Sequence, residues 1–262
     1  MNKLSKAMAF VGGFAVLAAA GVVLAAQAGA ATIAPNDPRR LSHVGDAQQL
    51  IVVTGDSITS TYATARTWQK DATGHWQPVS GYLPARLGWA GWSEAATRVQ
   101  GSGTTPIGTF TITSAFGLKP NPGTKLPYQP ADSKSYWAGD NRDAKTYNVF
   151  EPAYIAGKST WRTSESEKIS SYPTQYEAAA VIDFNRPAAS AMTWNAALGE
   201  WVTSKPTNTK IGSGIFLHIN GAGDTAGCVS LARSDLLSVL TWLDPAKKPR
   251  IVMAPLTFMF RA

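Results

Sequence analysis

Short runs of hydrophobic residues, separated by Gly, Pro and polar clusters, recur along the chain. Runs of this length, either continuously apolar or alternating, are typical of β-strands. The pattern predicts strands at residues 50–53, 76–82, 109–113, 178–184, 215–219 and 250–253. The longest intervening loop is expected at 118–148, where Gly and Pro interrupt every apolar run.

One segment carries a helical pattern instead. Apolar residues at positions 236, 237, 239, 240 and 243 predict a helix over 234–243. Ser234 is suited to cap its start, Asp235 favours the positive end of a helix, and Pro245 ends it. We therefore expect a mainly β protein with few helices, whose single domain covers residues 48–262.

The N-terminus has the pattern of a secretory signal peptide over residues 1–31. Lys3 and Lys6 precede an apolar stretch at 7–26, and the small residues at 28–31 offer a cleavage site. An uncleaved membrane anchor is the alternative, because the apolar stretch approaches spanning length. Residues 32–47 are polar, carry paired arginines and predict a linker.

Charge and composition exclude several function classes. The formal net charge of +7 falls to about +5 without Lys3 and Lys6, and its basic residues are scattered, so it favours an anionic polymer such as a cell wall over nucleic acid. Ordinary solubility charge is the alternative. The three histidines are far apart in sequence and no Cys/His cluster is present, so we expect no metal and no cofactor. His75 is expected in a surface turn, and Trp89 and Trp92 are candidates for the wall of a groove.

A possible serine nucleophile follows the first predicted strand. Gly55-Asp56-Ser57 is similar to the nucleophile turn of GDS-type esterases. That chemistry needs a histidine base, and no histidine here has an aspartate three residues before it. The preferred interpretation is a strand followed by a polar turn.

The only cysteine, Cys228, lies in the most informative stretch, GSGIFLHINGAGDTAGCVS at 212–230. The predicted strand at 215–219 presents His218, and a Gly-rich loop returns the chain to Cys228. A cysteine attacks carbonyl groups as a thiolate, and a neighbouring imidazole can take its proton to give a thiolate–imidazolium pair. A buried structural histidine beside an unrelated core cysteine is the alternative.

Residues between the two reactive groups are candidates for supporting roles. Backbone N–H groups near Gly227 and Cys228 are natural donors for a tetrahedral oxyanion. Thr225, Asn220 and Gly221 are further candidates for this oxyanion and substrate loop. The group that orients His218 remains open among a backbone carbonyl of the loop, Asn220 and Asp224.

These residues resemble the active-site motif of the L,D-transpeptidases, the YkuD-type catalytic domain. Thr225, Gly227, Cys228 and Val229 match that motif, with His218 upstream. The segment 104–110 (TTPIGTF) resembles a second element of the family. The resemblance covers roughly residues 48–256 and implies a mixed β-sandwich-like domain with the cysteine and histidine in a groove.

Two positions depart from the family's pattern. Ala226 stands where the family often has His, and Ser230 stands where it often has Arg. The missing arginine removes a positive charge near the nucleophile, and Arg233 is a candidate to replace it. The chain is therefore expected to be a divergent member.

The resemblance implies a secreted or wall-associated cysteine acyltransferase that acts on peptidoglycan stem peptides. Cys228 would attack the carbonyl before a terminal D-alanine, and an amine of a neighbouring stem would then receive the acyl group. A hydrolase with the same cysteine and a non-catalytic wall-binding protein are the alternatives. We expect a monomer.

Overall fold

A computed structural model describes residues 36–259 of the chain. The predicted signal peptide at 1–31 and the first part of the predicted linker lie outside the described residues. The strands are β1 (Gln49–Gly55), β2 (Tyr62–Lys70), β3 (Trp76–Pro78), β4 (Leu83–Arg86), β5 (Trp92–Glu94), β6 (Thr105–Gly117), β7 (Tyr128–Pro130), β8 (Tyr136–Ala138), β9 (Val149–Glu151), β10 (Glu167–Lys168), β11 (Ala179–Ile182), β12 (Met192–Asn195), β13 (Glu200–Thr203), β14 (Phe216–Ile219), β15 (Val229–Leu231) and β16 (Arg250–Pro255).

Helices are few and short in this part of the chain. The α-helix, α1, spans Arg233–Trp242. Short 3-10 helices cover Pro38–Arg40, Ala95–Thr97, Thr163–Glu165, Ile169–Ser171, Ala189–Ala191, Pro245–Lys247 and Leu256–Phe258. None of the helices in residues 36–259 combines the length and hydrophobicity needed to cross a membrane.

The main sheet closes on itself. Its central path runs β1-β16-β6-β11-β14-β15-β4-β2, and β2 pairs again with β1. The pairs β1–β16 and β14–β15 are parallel, whereas the other pairs on this path are antiparallel. Closure leaves these strands without a free edge, which removes a site for unwanted pairing.

Smaller sheets flank the main sheet. Strands β10, β8 and β9 form a three-stranded sheet, and β12 pairs with β13 as a two-stranded unit. Trp137 of β8 packs edge-on against Phe216 of β14, with ring centroids 4.6 Å apart. This contact joins the three-stranded sheet to the main sheet.

Alternation along β14 divides the buried side chains between two cores. Leu217 and Ile219 belong to a large aliphatic core that also receives residues of α1, among them Leu236 and Leu240. Phe216, two residues from His218, points to a second cluster rich in aromatic rings. Successive side chains of a strand face opposite sides, so one strand serves both cores.

The predicted mainly β class with few helices is confirmed in residues 36–259, where the main sheet closes like a barrel. Each predicted strand overlaps an observed one, although β3 is shorter than 76–82 and β6 is longer than 109–113. The segment predicted as the longest loop is wrong in part, because it contains β7 and β8. These strands have three residues each and are stabilised by pairing partners distant in sequence.

The predicted helix is confirmed, but its predicted cap is wrong. The capping position of α1 is Ala232, which makes no side-chain capping bond, and Ser234 lies inside the helix. In the segment predicted as a linker, Leu41, Val44 and Ala47 are buried in the large core. The packed part of the chain therefore starts before β1.

Candidate active site

Strand pairing brings Cys228 to the same face of the sheet as His218. Strands β14 and β15 are parallel, with His218 opposite Ser230 and Leu217 opposite Val229. Cys228 directly precedes β15, which places it beside Phe216. Its Sγ accepts a hydrogen bond from the Phe216 backbone N–H at 3.3 Å. Because Phe216 and His218 lie on one face of β14, the thiol and the imidazole are diagonal neighbours.

Both side chains open into one cavity of about 470 Å³. Each is 6% exposed, so a substrate reaches them through this cavity. The wall is completed by Trp89, Glu167, Tyr172, Gln175, Tyr176, Ser213, Gly214, Gly221, Ala222, Gly223, Asp224, Thr225 and Ala226. The cavity therefore combines a thiol, an imidazole, carboxyl groups and aromatic rings.

The thiol of Cys228 is held in its protonated form. Its Sγ donates to the Gly214 carbonyl at 3.3 Å. Burial raises the pKa of the Cys228 thiol to about 12, and the charge of Glu167 contributes in the same direction. The Phe216 N–H and the Arg98 charge act against this rise.

The imidazole of His218 is held in its neutral form. Its Nδ1 lies 2.8 Å from the carbonyl oxygen of Ile219. A carbonyl only accepts, so Nδ1 carries the hydrogen and Nε2 is left as the basic nitrogen. Burial lowers the pKa of His218 to about 4, and the bond to Ile219 opposes this. The resting site is thus a neutral pair, unlike the thiolate–imidazolium pair that the sequence suggests.

The hydrogen-bond partner of the His218 ring is a backbone carbonyl, but it is none of the three options that the sequence leaves open. It belongs to Ile219, at the end of β14, and not to the Gly-rich loop. The side chain of Asn220 instead lies 2.7 Å from Ser230 Oγ. Asp224 is exposed at the cavity wall.

Thr225 and Gly227 shape the turn that delivers Cys228. Thr225 Oγ1 donates to the Cys228 carbonyl at 2.7 Å and accepts from the Gly227 N–H at 3.1 Å. The expected oxyanion donor, the Gly227 N–H, is therefore already engaged within the turn. The Thr225 hydroxyl is engaged in the same way, which gives it a positioning role.

Gly227 is required by its backbone conformation and its neighbour. Its φ is +136°, and a Cβ at this position would lie 2.7 Å from the carbonyl oxygen of Thr104. Thr104 begins the second element of the family resemblance, so the two elements meet next to Cys228. Any side chain at Gly227 would displace Cys228 or this contact.

Gly221 is held in the cavity wall by Arg86 of β4. Arg86 Nη1 donates to the Gly221 carbonyl at 2.9 Å and to the Gly223 carbonyl at 3.2 Å. The Gly-rich loop is thereby fixed to the sheet at two points. Its carbonyl groups point to the arginine and serve as anchors.

Arg98 places a positive charge near Cys228, and sequence analysis missed it. It is 4% exposed, and its guanidinium donates to the carbonyls of Thr104 (2.8 Å), Ile211 (3.0 Å) and Ala226 (3.4 Å). Arg233, the expected replacement, instead pairs with Glu177, with Nε donating at 2.8 Å. The TTPIGTF element just after Arg98 was the available signal.

Glu167 and Tyr176 form a second group that sequence analysis missed. The Tyr176 hydroxyl donates to Glu167 Oε1 at 2.6 Å. The Tyr176 ring packs edge-on against the His218 ring, with centroids 5.6 Å apart. Burial raises the pKa of Glu167 to about 7, although the Tyr176 bond opposes this rise.

The other residues singled out in the sequence lie in the following places. Trp89 is 56% exposed at the cavity wall, whereas Trp92 is 4% exposed in the large core. His75 is exposed, with Nδ1 2.7 Å from Thr73 Oγ1. Ser57 Oγ lies 3.2 Å from Thr59 Oγ1 and 3.1 Å from Ser60 Oγ in an exposed turn, consistent with a polar turn.

No grouping of His, Cys, Asp and Glu side chains within residues 36–259 has the arrangement of a metal site. The cavity wall offers a thiol, an imidazole and carboxyl groups, and the Arg98 guanidinium lies behind it at the Ala226 carbonyl. A cysteine with a histidine base in a shared cavity is equipped for nucleophilic attack on a carbonyl group.

Comparison with known proteins supports the same chemistry. A search of curated proteins gave no match to this chain. The family model YkuD, described as the L,D-transpeptidase catalytic domain, matches residues 46–252. That range contains nearly all of the closed sheet, the cavity, Cys228 and His218, and by this match the chain belongs to the family of L,D-transpeptidase catalytic domains.

Proposed function

We propose that the protein is an exported cysteine acyltransferase that cross-links peptidoglycan stem peptides, with Cys228 as nucleophile and His218 as base. Family membership supports the peptidoglycan substrate. The observation that carries the residue roles is that Cys228 and His218 open from one face of the sheet into the same cavity.

In the first half-reaction, Cys228 forms a thioester. His218 Nε2 takes the thiol proton while Sγ attacks the carbonyl before the terminal D-alanine of the donor stem. The tetrahedral intermediate then expels the amine of D-alanine, which receives that proton from His218. The raised thiol pKa and lowered imidazole pKa make proton transfer simultaneous with attack, since neither ion is stable beforehand.

In the second half-reaction, an amine of a neighbouring stem attacks the thioester. The C–N bond forms, the C–S bond breaks, and Cys228 regains a proton through His218. The positive charge of Arg98 favours sulfur as a leaving thiolate, because it opposes the effects of burial and of Glu167 on the thiol.

Location and assembly follow from the same chemistry. Peptidoglycan lies outside the cytoplasm, so the enzyme must be exported, and the predicted signal peptide at 1–31 would serve this step. The scattered positive charge favours contact with an anionic wall. A monomer is sufficient, because one chain supplies every group in the proposed mechanism.

The experiment is mass spectrometry of products formed from purified muropeptides. Wild-type protein should give cross-linked dimers with release of D-alanine, and Cys228→Ser should lower the rate at least about 10³-fold. Ser57→Ala is the matched control and should react like wild type. Trimmed monomers would support the hydrolase, and no turnover with retained binding would support the wall-binding protein.

A further inference from the structure

Glu167 contributes a carboxyl group to the cavity wall. It lies beside Gly214, which forms a hydrogen bond with the Cys228 thiol. Its Oε2 lies 3.6 Å from where a Cβ on Gly214 would sit, and the Gly214 carbonyl accepts the Cys228 thiol hydrogen. Its other oxygen, Oε1, is fixed by Tyr176. The carboxyl group is therefore held in one place beside Gly214, the residue whose carbonyl contacts the thiol.

No basic side chain in residues 36–259 forms an ion pair with Glu167. A buried carboxylate is costly without a counter-charge or strong hydrogen bonds, and only Tyr176 supplies such a bond here. A cationic group entering the cavity would supply the missing charge. The cavity reaches this carboxylate, because Glu167 lines the wall and its side chain is half-buried and not sealed inside the protein.

We propose that Glu167 binds the ammonium group of the acyl acceptor and takes its first proton. This inference rests on the proposed acyl transfer at Cys228. An ammonium ion has no lone pair, so it must lose a proton before its nitrogen attacks the thioester. Glu167 is positioned to hold the acceptor and to receive that proton beside the sulfur.

The protons balance with two bases. The acceptor R–NH₃⁺ gives one proton to the Glu167 carboxylate, and the resulting amine nitrogen bonds to the thioester carbon. The nitrogen then gives a second proton to His218 Nε2. The C–S bond breaks, His218 returns its proton to the Cys228 thiolate, and Glu167 releases its own proton to solvent. The raised pKa of Glu167, about 7, supports both uptake and release near neutral pH.

The test separates acylation from transfer. Wild type and Glu167→Gln are first acylated with a donor muropeptide, and the acyl-enzyme is followed by intact mass. Each acyl-enzyme preparation is then split into two portions at pH 7. One portion receives a primary alkylamine, which is an ammonium ion at this pH, and the other receives hydroxylamine, which is mostly uncharged. Glu165→Gln is the matched control, because Glu165 pairs with Arg162 and is absent from the cavity wall.

In Glu167→Gln, transfer to the alkylamine should fall at least about tenfold, and the hydrolysed fraction should rise. Transfer to hydroxylamine should change by less than about threefold. Equal slowing of both acceptors, or no change in either, would overturn the inference while leaving Cys228 acylation intact. Absence of a wild-type acyl-enzyme would overturn the proposed function itself.

Tyr176→Phe gives an independent test if Glu167→Gln folds poorly. This variant keeps the ring against His218 and removes only the hydroxyl that fixes Glu167. It should reduce alkylamine transfer more than hydroxylamine transfer. An equal effect on both acceptors would contradict a positioning role of Tyr176 toward Glu167.

Discussion

Burial has different physical effects on the two faces of β14. Leu217 and Ile219 are covered by an aliphatic core, where burial stabilises the fold. His218, on the other face, is equally covered, but there burial opposes its charged form. One four-residue strand therefore contributes to the stability of the domain on one face and sets the protonation state of its proposed base on the other.

Leu217→Ala should have the largest effect on the core face. Leu217 is fully buried, so the lost burial and the cavity left behind should cost about 2–5 kcal/mol of the free energy of unfolding. Acylation per folded molecule should remain near that of wild type. Urea unfolding and acylation rates below the transition test this, with His218→Gln as the cavity-face counterpart that should lose acylation and little stability. The reverse pattern would break the comparison.

Acid should lower the free energy of unfolding, because His218 is buried in its neutral form. Between its usual pKa of 6.5 and its folded pKa of about 4, the unfolded chain binds a proton at His218 and the folded protein does not. Wild type should therefore lose about 3 kcal/mol relative to His218→Gln between pH 7 and pH 4. Urea unfolding at several pH values measures this difference.

Subtracting the pH dependence of His218→Gln from that of wild type cancels the contribution of the carboxyl groups that titrate in both proteins. Glu151, whose pKa burial raises to about 8, is one of them. His75→Gln, at an exposed position, is the matched control. A pH slope equal to that of His218→Gln in this control would contradict the account.

Arg98→Met should have a smaller effect on the chemistry of the site, seen in the reactivity of the Cys228 thiol. Removing the buried positive charge should raise the pKa of Cys228 further and slow its alkylation about tenfold. Arg98→Lys keeps the charge while losing the guanidinium geometry, so it should fall between wild type and Arg98→Met. Alkylation rates across alkaline pH measure this, and identical rates in all three proteins would remove Arg98 from the account.

Sequence patterns predicted best the strands that contain a continuous apolar run. β1 and β16 are examples, since the side chains of their central residues are buried on both faces of the sheet. β2 was missed because its burial alternates irregularly and polar residues such as Arg66 and Gln69 interrupt the pattern. The short strands β7 to β10 depend on tertiary pairing, which no local pattern encodes.

The site was predictable where its chemistry is local. Cys228 and His218 lie within one short segment and have the residue types that nucleophilic catalysis requires. Arg98 and Glu167 come from distant parts of the chain, and only closure of the sheet and packing of β10 bring them to the cysteine. The role of Arg98 depends on its burial next to Cys228, and that of Glu167 on having no ion-pair partner within residues 36–259. Neither property can be read from a sequence.

The neutral resting state of Cys228 and His218 could be recognised only from the structure. Cysteine and histidine in one motif suggest an ion pair, yet the depth of burial decides the protonation state of both. The Ile219 carbonyl fixes the histidine tautomer through a contact within β14 itself.

The most direct test of the account is the intact mass of the full protein after exposure to a donor muropeptide. We expect a covalent adduct with the mass of the stem minus D-alanine, mapped to Cys228 by peptide fragmentation. The adduct should be absent in Cys228→Ser, and it should form about 10²–10⁴-fold more slowly in His218→Gln. An adduct on another residue, or one that forms at the wild-type rate without His218, would contradict the central claim.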